Sequence, residues 1–250
     1  MKLLRDTWLT FQRQILLLLR NPVWVIVGII QPAFYLLLFA PLLKPALGVS
    51  SNSEAYRVFV PGLLVMLAFF TAFGGFGIIA ELRAGIIERS RVTPVSRLAL
   101  LLGRSLRDTV TLMVQAVIIT VLAIPFGLSV GVGDVLLTYL VLGLMALMLS
   151  SLSYATALKV RSEDALAPLI NTVFQPVLLT AGILLPLTLA PKWLQRVADW
   201  NPFSWAVDAA RSLFAGNPGD NHVWQALLIL GGLTVLAMIW GARTFARSVR

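Results

Sequence analysis

Residues 81–107 read ELRAGIIERSRVTPVSRLALLLGRSLR, and this stretch decides the fold. It carries six arginines (Arg83, Arg89, Arg91, Arg97, Arg104, Arg107) and two glutamates (Glu81, Glu88). Apolar runs flank it, over 58–80 and 110–128, each near the ~20 residues a helix needs to cross hydrocarbon. An arginine at the bilayer centre costs at least ~2.5 kcal/mol on insertion scales, so the stretch itself stays in water. Its arginines assign it to the cytoplasmic side, where short loops collect Lys and Arg. Its inner part, 85–90, is short and amphipathic, and Thr93-Pro94 breaks it because the residue before a proline disfavours the helical region. The pattern predicts a small helix lying across the mouth of two membrane helices, available to a cytoplasmic partner.

Composition agrees. The 250 residues are 58% hydrophobic and 12% charged, whereas soluble domains carry about 25% charged residues. The mean hydropathy is +0.88. The expected fold class is therefore an all-α integral membrane protein. With no cysteine, the chain has neither a disulfide scaffold nor a thiolate metal or redox site. One histidine, His222, rules out a multi-histidine metal site. A net charge of +9 would suggest nucleic acid in a soluble protein, but here the charge is sided, so a membrane and not a nucleic acid is the expected partner. The N-terminal apolar run is interrupted by Arg13 and Arg20 and lacks a small-residue cleavage site, unlike a signal peptide.

Residues 2–20 place Leu4, Trp8, Phe11, Ile15 and Leu18 at steps of three and four, with Lys2, Arg5, Asp6, Gln12 and Arg13 on the other side. That is the pattern of an amphipathic helix lying in the interface, ended by Asn21-Pro22; the plainer reading is a cytoplasmic extension of the first span. The whole chain, 1–250, reads as one domain: an interfacial helix over 1–21 and a six-span bundle over 22–243. The spans fall at 23–43 (with a kink at Gln31-Pro32), 58–80, 110–128, 135–158, 165–185 and 223–240. Residues 186–221 mix Trp193, Trp200 and Trp205 with prolines and charges, which suits the outer interface or a partial re-entry.

Six spans leave both termini on one side, with 81–107 and 159–164. Those segments hold fifteen of the Lys and Arg residues; only Lys44, Arg57, Lys192, Arg196 and Arg211 fall outside. Five acids (Glu54, Asp134, Asp199, Asp208, Asp220) balance the outer five, so the whole formal charge lies on the inner face, as the positive-inside rule requires. Both termini are expected in the cytoplasm and the chain in the plasma membrane.

Catalytic signatures are missing. There is no GxxxxGK[ST] loop, no HExxH and no EF-hand spacing. Ser151 and Ser153 have no histidine on their side of the membrane. Gly74-Gly75-x-Gly77 lies within a span, where close helix packing is the plain reading. No acid occurs at mid-membrane, as a proton-coupled carrier would need. The strong polar groups within the spans are Gln31, Gln115, Asn171 and Gln175. The chain shows no energy source of its own.

Two stretches carry a resemblance. ERSRVTPVSRLALLLGRSLRD, 88–108, resembles the cytoplasmic loop of ABC-2 type export permeases. NPFSWAVDAAR, 201–211, resembles the N-P-[hydrophobic]-[ST]-[aromatic]-x-V-x-x-x-R signature that precedes their last span. Asn201, Pro202 and Arg211 are its fixed points. The resemblance extends over essentially the whole chain and is nearest to daunorubicin-type drug-resistance permeases.

It implies a membrane subunit that pairs with a second permease copy, identical or related, and binds a separately encoded ATPase holding the ATP and magnesium. This chain would then be no enzyme. The coupling residues would be Gly85, Glu88, Arg89, Arg91, Thr93 and Pro94. The cargo would be a hydrophobic or amphipathic compound moved outward past Gln31, Phe69, Phe73, Asn171 and Gln175. Other readings stand beside these. The arginine loop could serve only to set topology and bind anionic lipid. The amides could be interhelical glue and the phenylalanines packing. The cargo could be a lipid-linked glycan, or the chain a membrane scaffold with no transport path.

Overall fold

The computed structural model describes residues 2–21, 23–39, 42, 51–85, 96–183 and 186–248. Among them the chain is helical, with no strand. Helix α1 (Lys2–Arg20) is followed by α2 (Val23–Phe34), which runs into a π-helical turn at Tyr35–Phe39 just after its internal Pro32. Next come α3 (Asn52–Phe70), a 3-10 turn at Thr71–Gly74, and α4 (Gly75–Arg83). The chain continues through α5 (Arg97–Ala123), α6 (Val132–Val160), α7 (Glu163–Thr180), α8 (Lys192–Ala198), α9 (Pro202–Phe214) and α10 (Asn221–Ser248).

Helix α6 is the axis of the bundle. It is apolar on every side, the mark of a helix surrounded by others, and it packs against α10, α5, α4, α9 and α3. The larger core joins Phe59, Leu63 and Leu67 of α3 to Leu112 and Ile119 of α5, Leu142 and Met145 of α6, Val207 and Leu213 of α9, and Leu230 of α10. A smaller core lies toward the end that the charges assign to the cytoplasm, where Ile78 and Ile79 meet Leu101, Leu158, Ile170 and Phe245.

Four helical stretches among the described residues are long and apolar enough to cross a membrane: Ser53–Arg83, Leu98–Phe126, Val132–Val160 and Asn221–Phe245. Lys2–Arg20 with Val25–Leu38 makes a fifth if that bent pair is one span. The chain is thus a multi-pass membrane protein with four to five candidate spans, against the six read from the sequence. The sixth, α7, does not qualify because its eighteen residues carry Glu163, Asp164, Asn171, Gln175 and two prolines. Each 29-residue span is ~43 Å long, more than the ~30 Å of hydrocarbon.

The structure also corrects several boundaries. The expected polar loop before the second span is helical from Asn52, and that span is broken at Thr71–Gly74. The arginine stretch is shorter as a loop than its charges suggest, since Arg97, Arg104 and Arg107 belong to α5. Residues 186–221 fold into α8 and α9.

Helix α1 inverts the usual logic of a soluble amphipathic helix. Its polar Asp6, Thr7 and Gln14 are buried, while Leu4, Trp8, Leu9 and Leu19 are exposed. Thr10 presses on Gly103 of α5 so closely that a Cβ there would lie 2.6 Å from the threonine Cβ.

Close backbone contact also holds the opposite end. A Cβ on Gly62 would fall 2.0 Å from the carbonyl oxygen of Ile183, whereas one on Gly77 would meet nothing within 4 Å. Gly62→Ala is therefore expected to cost about 1–3 kcal/mol through overpacking, read as an apparent Tm lowered by roughly 2–12 °C in detergent. Gly77→Ala should leave the Tm unchanged or slightly raised. Equal behaviour of the two variants would contradict this packing.

Candidate functional site

The arginine stretch is anchored by two helical stems. Helix α4 ends at Arg83, and Gly85 follows with φ 66, the left-handed conformation that glycine adopts at helix ends. Of the expected coupling residues, only Gly85 is described; Glu88, Arg89, Arg91, Thr93 and Pro94 lie outside the described residues. The second stem starts at Ser96, whose hydroxyl accepts the Ala99 N–H at 3.1 Å and so caps α5. Asp6 of α1 accepts the Ser96 N–H at 3.4 Å.

Between the stems, Arg104 of α5 donates to Glu81 of α4. Gln14 of α1 donates to the same carboxylate at 3.3 Å. The Arg104 guanidinium also lies 5.7 Å from the Phe245 ring of α10. These side chains are 8% and 18% exposed for Arg104 and Glu81, so this is a buried pair and not a surface one. Four helices converge on it. By contrast, Arg83 and Glu163 pair at 3.3 Å in the open, 59% and 38% exposed, where an ion pair contributes little.

One turn further along α5, Asp108 accepts from Arg107 at 2.5 Å and from the Tyr154 hydroxyl of α6. Arg107 also donates to Tyr154 at 3.3 Å. In the sequence Glu81, Arg104 and Arg107 read only as loop charges, and neither Asp108 nor Tyr154 stands out. The available signal was spacing: Arg104 and Arg107 precede Asp108 within one turn or so of a continuing apolar helix.

The signature segment forms a second joint, at the other end of the bundle. Asn201 caps α9, its carbonyl oxygen accepting the Phe203 N–H at 3.0 Å. Its amide nitrogen donates to the Val177 carbonyl at 2.8 Å and the Thr180 hydroxyl at 2.9 Å, tying α9 to the end of α7. Pro202 occupies the first helical position, where a missing N–H costs nothing. Ser204 donates back to the Ala198 and Asn201 carbonyls at 2.8 and 2.7 Å.

Arg211 reaches across from α9 to three carbonyls: Val58 of α3 at 3.1 Å, Gly182 at 2.7 Å and Ile183 at 3.3 Å. Burial pulls its guanidinium down to about 10, with Asp208 pulling the other way, so it stays charged at neutral pH.

The residues expected along a substrate path fall in two settings. Phe69 is buried, its ring centroid 4.8 Å from Phe203 and 5.6 Å from Phe174. Phe73 is exposed and stacks on Phe76 at 6.1 Å. Gln31, Asn171 and Gln175 are all exposed in the single chain. Gln115, the fourth amide of the expected spans, is buried and instead bonds the Val25 carbonyl at 3.2 Å, joining α5 to α2.

Comparison with known proteins adds the following. Residues 5–215 match the family described as ABC-2 type transporter. The chain is 27% identical to the putative transport permease ycf38 of Cyanophora paradoxa over 85% of this chain and 75% of that one. It is 26% identical to the daunorubicin resistance ABC transporter permease protein DrrB1 of Streptomyces coeruleorubidus, over 86% and 77% respectively. Similarity extends to ABC transporter G family member 20 of Dictyostelium discoideum, 25% identical over 72% of this chain and 25% of that one.

Removing one partner of a buried ion pair costs about 3–5 kcal/mol. Glu81→Gln and Arg104→Met should each lower thermal stability in detergent by an amount in that range. The exchanged pair, Glu81→Arg with Arg104→Glu, should recover a measurable part of the loss. Additive losses in the exchanged pair would show that the two stems are not joined by this contact.

Proposed function

Since the chain belongs to the ABC-2 type transporter family, we propose that it is the membrane subunit of an ATP-driven exporter that moves a hydrophobic or amphipathic compound out across the plasma membrane. The observation that carries this reading is the buried Glu81–Arg104 contact beneath the arginine loop. Residues 86–95 connect two stems that are fastened to each other, to α1 and to α10, so a force on the loop reaches several helices at once. Arginine suits a dock for an acidic groove, because its fork pairs with carboxylates bidentately. In this reading the ATPase subunit, carrying ATP and magnesium, engages Gly85, Glu88, Arg89, Arg91, Thr93 and Pro94.

The transport path lies between two permease copies. Gln31, Asn171 and Gln175 support this, since polar amides on exposed membrane-helix faces call for partners beyond the single chain. Phe69 and Phe73 lie on the second span, where Phe69 meets Phe174 of α7. The daunorubicin resistance named for one relative supports a lipid-soluble cargo. In this reading α2 and α7 complete six spans in the membrane, with both termini in the cytoplasm. The exposed Leu4, Trp8 and Leu19 of α1 then rest in the lipid interface.

The test is ATP hydrolysis by the chain reconstituted in liposomes with its ATPase subunit. Hydrolysis should rise with an amphipathic cargo, and cargo should leave the side bearing the loop. The variant Arg89→Glu with Arg91→Glu should insert normally but lose assembly by roughly 30-fold or more, given ~2–5 kcal/mol for removing one side of a desolvated interfacial charge pair. A double variant that assembles and exports like the wild type would leave the loop with lipid binding only.

A further inference from the structure

The second span is not one helix. Between α3 and α4 the chain makes a 3-10 turn at Thr71–Gly74, about nine residues, or ~13 Å, from the end of α4. That depth is within hydrocarbon, where freed backbone groups have no water to satisfy them. The break is instead served by α6. Ser153 accepts the Gly75 N–H at 3.0 Å, and its hydroxyl donates to the Ala72 carbonyl. Thr71 folds back on the Ala68 carbonyl at 2.7 Å and closes the end of α3.

The glycines make room for this arrangement. A Cβ on Gly75 would lie 2.6 Å from the Ser153 hydroxyl, and one on Gly74 would lie 3.0 Å from the Asp108 carboxylate and 3.1 Å from the Tyr154 hydroxyl. The Arg107–Asp108–Tyr154 cluster therefore sits directly against the break. Its charges come from α5 and its hydroxyl from α6.

Below the break, α4 is a short rod with the arginine loop at one end and the broken turn at the other. Glu81 fastens it to Arg104 and Gln14. Above the break, α3 is locked into the main core. A 3-10 interruption in mid-helix is a place where a helix can bend with little rearrangement of its ladder.

We propose that Ser153, Tyr154 and Asp108 are positioning residues for transport: they set the angle between α4 and α3, so that a push on the loop swings α4 and bends the second span at Thr71–Gly74. This rests on the exporter reading above. The side chains contact neither cargo nor ATPase; they hold the joint through which the stroke passes.

The experiment uses the complete complex of permease and ATPase subunit in liposomes. It reads three quantities for Ser153→Ala, Tyr154→Phe and the control Gly77→Ala: complex assembled, ATP hydrolysed, and cargo exported per ATP. Both hydroxyl deletions should assemble and hydrolyse ATP while cargo per ATP falls by roughly 2- to 30-fold. Gly77→Ala should match the wild type. Ser153→Cys, which keeps a weak donor and acceptor, should recover part of the ratio.

If the deletions lower thermal stability but leave cargo per ATP at the wild-type value, the residues are only structural and the proposal is overturned. If cargo per ATP is unchanged without any loss of stability, it is overturned as well. A wild-type complex whose hydrolysis no cargo stimulates would overturn the exporter reading itself, which separates the two failures.

Discussion

A carboxylate and a guanidinium taken out of water must find each other or cost several kcal/mol apiece. That constraint shapes the arginine-loop end of this protein. Glu81 and Arg104 stand on opposite stems of a loop too charged to enter the bilayer, and their contact ties the two stems together. The packing around them follows. Helix α1 turns Asp6, Thr7 and Gln14 inward, Gln14 reaching the same carboxylate, and α10 lays Phe245 against the guanidinium. One turn deeper, the same rule pairs Arg107 with Asp108 and brings in Tyr154.

The other end of the bundle is held by a different device. There a single arginine, Arg211, meets three backbone carbonyls, and Asn201 supplies both a helix cap and a cross-link to α7. The signature around Asn201, Pro202 and Arg211 is thus a structural joint whose polar atoms are used on α3, α7 and α9 together. Between the two joints lies the core around α6. The interruption at Thr71–Gly74 falls between the two joints.

Much of this was legible in the sequence. The length of the apolar runs, the sided arginines and the amphipathic start gave an all-helical membrane chain with α1, α5, α6 and α10 near their observed places. What was not legible depended on contacts between distant residues. Nothing local distinguishes Arg104, buried against Glu81, from Arg83, which pairs in the open. Asp6 reads as part of the wet side of an interfacial helix because periodicity shows that two faces differ without showing which one meets protein. Ser153 looked inert for want of a histidine, since its role is to satisfy a helix break that the sequence marks only by Gly74-Gly75. Span 165–185 was drawn from apolar content, but Asn171, Gln175 and the prolines make α7 shorter and more polar than a span that stands alone.

On the proposed stroke, force enters at the loop and bends the second span at its 3-10 turn. Spin-label distances measure this most directly, in complexes carrying one labelled permease copy. One pair joins Arg83→Cys on α4 to Leu140→Cys on α6, and a second joins Glu54→Cys at the start of α3 to the same α6 position. Trapping the ATPase subunit with a non-hydrolysable nucleotide should shift the first distance and leave the second unchanged. Two distances that stay fixed, or that change together as one rigid span, would contradict the account.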